Sequence, residues 1–524
     1  MSRRQQQAIS STAAGLRVLV SGGGIAGPTV AHFLARAGAN VLVVEKAPGL
    51  QRNGQNVDIN GSARRVVAKM GLTDQVIAHN TTEKGTCFVD DGGRAFAEFP
   101  IGKGSFTSQM EILRSDLAKI LYEHTKKNPN VEFKFDTKID KVLENNDHGV
   151  KVLLSDGSTH AADVLIAADG TGSQVRKMCF DPATIKRRDT GVFVAYWTVP
   201  RETNDSDWWA IHQTSNSKTI SLRPDPYHSI RVMVTCLPRT EAHRTQWRTA
   251  SRANRSDQER FLVREIPAGA WQGQRLHDTM LQAPDFYIQA MQQIQMDSWS
   301  SGRVVCLGDA AYAPTPLTGM GTPLALMGGY LLAGELSKTW REHPQKAFAT
   351  YEALYRSFVE ETQQYPSIAP KLAHARGPMM RWLTQTAIWS AAKVTARQVA
   401  TAGEGQKVDE GDKATPTFLV TLADIGTNTV SLFSPIAQTT VAVTSTALFN
   451  RPKFSRNLPQ IGLAPLLYTA PAPPLTAPSV HAVQIHDIND HVAKLHMAQK
   501  LVPEPDFKVR AGRGQDVRDP TVPK

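Results

Sequence analysis

Residues 17–45 read RVLVSGGGIAGPTVAHFLARAGANVLVVE. The apolar run Val18–Val20 predicts a short buried strand. Gly22, Gly24 and Gly27 follow at the spacing G-x-G-x-x-G, a helical pattern covers Thr29 to Ala37, and a second strand over Val41–Val44 ends at Glu45. Each glycine has its own task in such a unit. Gly22 permits a tight turn, Gly24 lets backbone approach a pyrophosphate, and Gly27 lets the helix pack on the strand. The helix N-terminus then presents unpaired N–H groups and the positive end of its dipole to the phosphates. Glu45 stands where a carboxylate accepts hydrogen bonds from ribose hydroxyls, and there it would repel the 2′-phosphate of NADP. Strand, glycine turn, helix and acid together indicate a dinucleotide site. They do not choose between FAD and NAD.

Outward from this unit, strand and helix signals alternate to about Arg176. From about Thr190 to Leu237 the pattern becomes β-rich, with GVFVAYWTV, WWAIHQ, TISLR and SIRVMVTCL separated by polar turns. α/β character returns near Gly302, and a long apolar helix is expected from about Gly321 to Trp340. The expected fold class is α/β: a Rossmann-like dinucleotide-binding domain interrupted by an antiparallel β-sheet substrate domain, followed by C-terminal helices and an irregular tail. The expected divisions are a disordered lead over 1–15, the first part of the nucleotide domain over 16–185, and the substrate domain over 186–300. The second part of the nucleotide domain with the helices then covers 301–402, and a linker with a poorly ordered extension covers 403–524.

Bulk composition narrows the function classes. A hydrophobic content of 41% and a charged content of 20% over 524 residues are those of a soluble globular protein. The net charge of +11 comes without a Lys/Arg block or an interleaved aromatic-basic array, so a nucleic-acid partner is not expected. A field that gathers anionic cofactors and substrates accounts for it equally well, as does a scattered basic surface. Cys87, Cys179, Cys236 and Cys306 are far apart and apolar in setting, which suggests free thiols in a reducing, cytoplasmic compartment. No stretch has eighteen consecutive apolar residues, so no stable membrane insertion is expected. No metal site is expected either; the pairs His481/His486 and His491/His496 lie in the tail and read as incidental.

Three further segments carry a family resemblance. ADVLIAADGTGSQVR (162–176) resembles the D-G motif of the para-hydroxybenzoate hydroxylase-like group A flavin monooxygenases, through Asp169, Gly170, Ser173 and Arg176. VCLGDAAYAPTPLTGMG (305–321) resembles their G-D motif, through Gly308, Asp309, Pro316, Gly319 and Gly321. EILRSDLAKIL (111–121) supplies Arg114, similar to an arginine that contacts FAD in that family. QRNGQNVDING (51–61) resembles the tetracycline-inactivating branch, in which an arginine assists NADPH binding and an aspartate touches FAD; Arg52 and Asp58 match them. The resemblance covers roughly residues 16–380.

The resemblance implies tightly bound, non-covalent FAD and NADPH as a transient co-substrate. It places the ribityl hydroxyls of FAD against Asp309, and the flavin's pyrimidine edge at the helix opened by Gly319, Gly321 and Thr322. It further implies a C4a-hydroperoxyflavin formed with O2, which would oxygenate an aromatic or polyketide-like small molecule. The β-rich segment would roof the substrate cavity. Tyr196 and Trp197 are adjacent, so only one can face inward. Tyr196 is the first candidate to accept or polarise a phenolic proton, with Gln213 and Arg223 as further polar candidates if its face is the inner one. A same-fold FAD reductase or dehydrogenase, or a non-catalytic FAD-binding redox-responsive protein, stands as the alternative.

Overall fold

The computed structural model describes residues 12–50, 54–81, 83–101, 107–108, 110–340, 343–365 and 368–401. Arg52 and residues 403–524 therefore lie outside the described residues.

Arg17–Ser21 is the inner strand on which the nucleotide unit is built, and its last four residues are buried. It pairs in parallel with Asn40–Val44 on one side and with Val164–Ala167 on the other. Val131–Lys134 extends the sheet beyond Asn40–Val44, and Val304–Cys306 extends it beyond Val164–Ala167. A short antiparallel strand, Ser300–Ser301, completes a six-stranded sheet. Parallel strands buried on both faces need continuous apolar runs, and VLV, VLVV, VLIA and VVC supply them. The strand Val304–Cys306 comes from beyond the β-rich segment, so the interrupted domain closes on itself as the sequence led us to expect. Ala26–Arg36 and Gly321–Thr339 pack together over this sheet; thirteen residues of the latter are buried.

The second large sheet has seven strands. Tyr287–Met296, Ile185–Pro200, Ser229–Cys236, Lys218–Pro224 and Trp209–Gln213 run antiparallel in that order. Two further strands, Gly85–Val89 and, at the edge, Ala95–Pro100, join it from earlier in the chain, the first pairing in parallel with Trp209–Gln213. The expected division at residue 186 thus misses residues 85–100, which belong to this sheet. Alternation within strands this short does not show which sheet they join.

One face of the seven-stranded sheet carries Phe193, Ala195, Trp197 and Val199 and is covered by the helices Glu241–Ala250, Arg255–Glu265 and Gly273–Gln282. The other carries Tyr196, Val194 and Val192. The C-terminal helix Gly377–Thr401 packs part of that second face through Ile388 and Ala392 against Phe88, Ala97 and Phe99. A two-stranded sheet, Asn56–Asp58 with Glu111–Leu113, accompanies the two large ones. No helix among the described residues is long and apolar enough to cross a membrane.

Candidate functional site

The glycine turn has the geometry that its spacing predicts. Gly22 has φ +113°, and a Cβ there would lie 2.4 Å from the Ala168 carbonyl oxygen. A Cβ on Gly27 would lie 1.9 Å from the Gly22 carbonyl oxygen, so the helix Ala26–Arg36 touches the turn backbone to backbone. Gly24 differs: nothing stands within 4 Å of its absent Cβ. The turn is therefore sterically closed toward the protein and open toward a pocket. Gly23, Gly24, Ile25, Glu45, Leu50 and Arg114 line that pocket.

Glu45 accepts hydrogen bonds from the Gly23 N–H at 2.7 Å and the Ala47 N–H at 3.0 Å. It thereby braces the glycine turn as well as facing the pocket. Asp169 Oδ2 accepts from the Gln174 N–H at 2.8 Å, while its Oδ1 is buried with no partner among the described residues. Such an orphaned acceptor beside Gly22 fits a site that a polar ligand completes. Arg176, only outlined by its motif, is fully buried and donates to the Thr171 and Ala310 carbonyls, each at 2.6 Å. It ties the D-G turn to the G-D loop. That role was not legible beforehand, because the acceptors are backbone atoms.

Gly308 carries the chain from Val304–Cys306 into the short helix Asp309–Tyr312. Asp309 Oδ1 lies 3.9 Å from where a Gly321 Cβ would stand, at the N-terminus of Gly321–Thr339, and Thr322 is buried in its first turn. Withdrawal from water pushes the Asp309 carboxyl above the usual carboxylate range, and Arg114 opposes that shift. The structure thus brings Asp309, Gly319, Gly321, Thr322 and Arg114 to one place. Thr315, in the same loop, holds φ +78° with its side chain buried, a costly conformation for a β-branched residue.

Tyr196 is buried on the sheet face that meets Leu317 of this loop, with the Tyr287 ring centroid 5.4 Å away. Burial raises the Tyr287 hydroxyl to about 12, with Arg114 opposing, so this second tyrosine lies within the field of the same arginine. Sequence reasoning missed it, since only the register Tyr196↔Tyr287 shows the pair. Trp197 points the other way, against Phe286 at 5.9 Å, and is core. Gln213 is engaged elsewhere: it donates to the Leu372 and Ala373 carbonyls and accepts from Thr384. Arg223 is not beside Tyr196. Its Nε lies 2.9 Å from both Glu83 carboxylate oxygens, it also contacts Glu111, and Asp58 acts on it electrostatically. Cys236, His243 and Glu265 also converge, within 4.8 Å, but Lys218 pairs with Glu265 at 3.0 Å and accounts for its charge.

A family profile described as FAD binding domain matches residues 15–365. The chain belongs to that family. Its members similar to this chain include Monooxygenase CTB7 of Cercospora beticola, 35% identical over 385 residues, 71% of this chain and 90% of the relative. The flavin-dependent monooxygenase eupH of a Phoma species is 36% identical over 369 residues, 66% of this chain and 84% of the relative. Among solved structures, tetracycline destructase Tet(51) superposes with a TM-score of 0.62 at 28% identity, covering 73% of this chain and 97% of that one. HpxO of Klebsiella pneumoniae, solved with FAD and uric acid, has a TM-score of 0.54 at 20% identity over 73% of this chain and 95% of that one, and shows the same fold. The resemblance to group A flavin monooxygenases is borne out.

Proposed function

We propose that the protein is a single-component FAD-dependent monooxygenase that uses NADPH and O2 to oxygenate an aromatic or polyketide-like small molecule. The observation that carries this reading is the cradle formed by two distant segments. The glycine turn, open only at Gly24, lies at one end, and Asp309 lies before the Gly321 helix at the other, with Arg114 between them.

Bound FAD would supply the redox chemistry, with reducing equivalents from the nicotinamide and O2 as oxidant, one oxygen atom entering the substrate and the other leaving as water. The chain's own residues bind and orient. The free N–H groups at the start of Ala26–Arg36 suit the pyrophosphate, and Asp169 Oδ1 offers an acceptor that the protein leaves unused. The N-terminus of Gly321–Thr339 favours negative charge on whatever lies before it. Tyr196 would face the substrate, and burial pushes its hydroxyl well above the usual phenol range. It therefore serves as a neutral hydrogen-bonding group that orients a phenol, and does not take up its proton by first losing its own. Gly22, Gly24, Gly27, Glu45, Asp58, Arg114, Asp169, Asp309, Gly319, Gly321 and Thr322 are the proposed cofactor-binding set, with FAD held non-covalently.

Four free cysteines, three of them buried, suit a reducing compartment, and we place the enzyme in the cytoplasm. The test is the visible spectrum of the purified protein, followed by NADPH in air with and without a panel of phenols. Flavin bands that bleach faster with one phenol, and a product heavier by one oxygen, are the expected result. Bound flavin that NADPH never reduces would favour a reductase or a non-catalytic role.

A further inference from the structure

Arg223 gathers carboxylates from three separate segments. Asp58 and Glu111 face each other in register across the two-stranded sheet, and Glu83 lies in the connection that enters the seven-stranded sheet at Gly85. The Glu83 and Glu111 side chains are each 1% exposed and that of Arg223 is 12% exposed. The guanidinium also lies over the Trp209 ring, 4.2 Å from its centroid. One cation thus faces three acids in a space that water hardly reaches, and not all three can be ionised there without a large cost. Burial pushes the Glu111 carboxyl well above its usual range; Arg223 opposes this, while Asp58 and Glu83 add to it. Asp58 is raised as well, again first by burial.

What this cluster holds in place is specific. The strand Glu111–Leu113 continues without a break into the helix Arg114–Thr125, and the Arg114 N–H donates to the carbonyl of Gln55 at 3.0 Å, the residue just before the strand that bears Asp58. The position of Arg114 over the cofactor pocket therefore depends on where the small sheet sits against Lys218–Pro224, the strand that carries Arg223.

We propose that Arg223 is a positioning residue: it clamps the small sheet to the seven-stranded sheet through Glu83 and Glu111, and thereby sets Arg114 in the cofactor pocket. This rests on reading that pocket as the FAD site. In the clamp, Glu83 meets Arg223 Nε with both carboxylate oxygens and is the partner that balances the guanidinium, while burial favours the protonated form of Glu111.

The full-length apoprotein, titrated with FAD by flavin fluorescence and melted without FAD, separates these roles. Glu111→Gln retains the shape of the neutral acid and is expected to bind FAD within about two-fold of wild type at neutral pH. Glu83→Gln removes the balancing charge and is expected to weaken FAD at least about five-fold. Arg223→Met is expected to lose at least about ten-fold, and Arg223→Met with Glu83→Gln to recover most of that loss, because it no longer strands a charge. Equal losses in the two Gln variants would overturn the proton assignment. A folded Arg223→Met protein that binds FAD like wild type would overturn the clamp. If Arg223→Met does not fold, Arg223→Lys and the two Gln variants carry the same comparison. Wild-type protein that binds no FAD would overturn the site reading instead, and the apoprotein melting order of the variants would still report on the clamp.

Discussion

Gly24 and Gly27 are three residues apart in one turn, yet alanine at each should fail for opposite reasons. A Cβ on Gly27 would sit 1.9 Å from the Gly22 carbonyl oxygen, where real Cβ atoms keep at least 3.0 Å. Relief requires helix and turn to part by about 1 Å, and because both sides are backbone no rotamer change can supply it. Overpacking of that kind costs about 3 kcal/mol or more, so Gly27→Ala should melt several degrees lower without any ligand. At Gly24 the Cβ meets nothing within 4 Å and the backbone φ is not positive, so the apoprotein should be unchanged or stabilised by about 0.5 kcal/mol. The open space is where the pyrophosphate is read to approach. Gly24→Ala should therefore lose at least about ten-fold in FAD affinity, about 1.4 kcal/mol, from a methyl group that costs the fold nothing. Thermal melting of both apoproteins and FAD titration of Gly24→Ala check the pair. A Gly24→Ala protein that binds FAD as tightly as wild type would refute the assignment of the turn. An apo-Gly27→Ala protein as stable as wild type would refute the backbone contact.

Three other outcomes follow from single groups. Arg176→Met strands the Thr171 and Ala310 carbonyls and should cost about 2–3 kcal/mol in thermal melting while weakening FAD, since the G-D loop loses its tie to the D-G turn. Tyr196→Phe should leave the melting temperature within about 2 °C, lower kcat/KM for a phenolic substrate by up to about ten-fold, and leave substrate-free NADPH oxidation unchanged; a larger fall in the substrate-free rate would contradict its placement. His374 is buried, its Nδ1 faces the Pro370 carbonyl at 2.7 Å, and burial pushes it down to about 4. The unfolded chain then binds that proton first, so stability from His374 is present above about pH 6.5 and is lost as the pH falls toward 4, by about 2 kcal/mol at pH 5. Melting curves at pH 7 and pH 5 should show that acid loss in wild type and a smaller one in His374→Gln.

The parts of the site that were legible in the sequence are those whose function is local. A glycine turn, the acid that ends the next strand, and a loop that opens a helix each carry their geometry within a few residues. The motifs therefore predicted the closed contacts at Gly22 and Gly27 and the nearness of Asp309 to Gly321. Alternation also served at Tyr196 and Trp197, where adjacent strand residues must part; it was silent on which one faces inward until the helices over Trp197 were placed.

What could not be read is what depends on partners far along the chain, and Arg223 shows why. On its own strand it is a polar residue sharing a face with Ser221, which reads equally well as a group awaiting a substrate or as half of an ion pair. Glu111 reaches it from the small sheet, and Glu83, 140 residues away, is brought to it because Gly85–Val89 enters the seven-stranded sheet beside Trp209–Gln213. That pairing is parallel and non-local, so neither turn chemistry nor periodicity announces it. Once it forms, the energetics leave little choice: a guanidinium paired with Glu83 and in contact with Glu111, both side chains 1% exposed, cannot leave that pair without stranding a buried charge, and it is not free to turn toward a passing ligand. Its proposed influence on the reaction therefore runs through the strand Glu111–Leu113, which leads directly into Arg114. A catalytic arginine and a positioning arginine look alike in sequence; what separates them is whether the surrounding acids balance the charge before any substrate arrives.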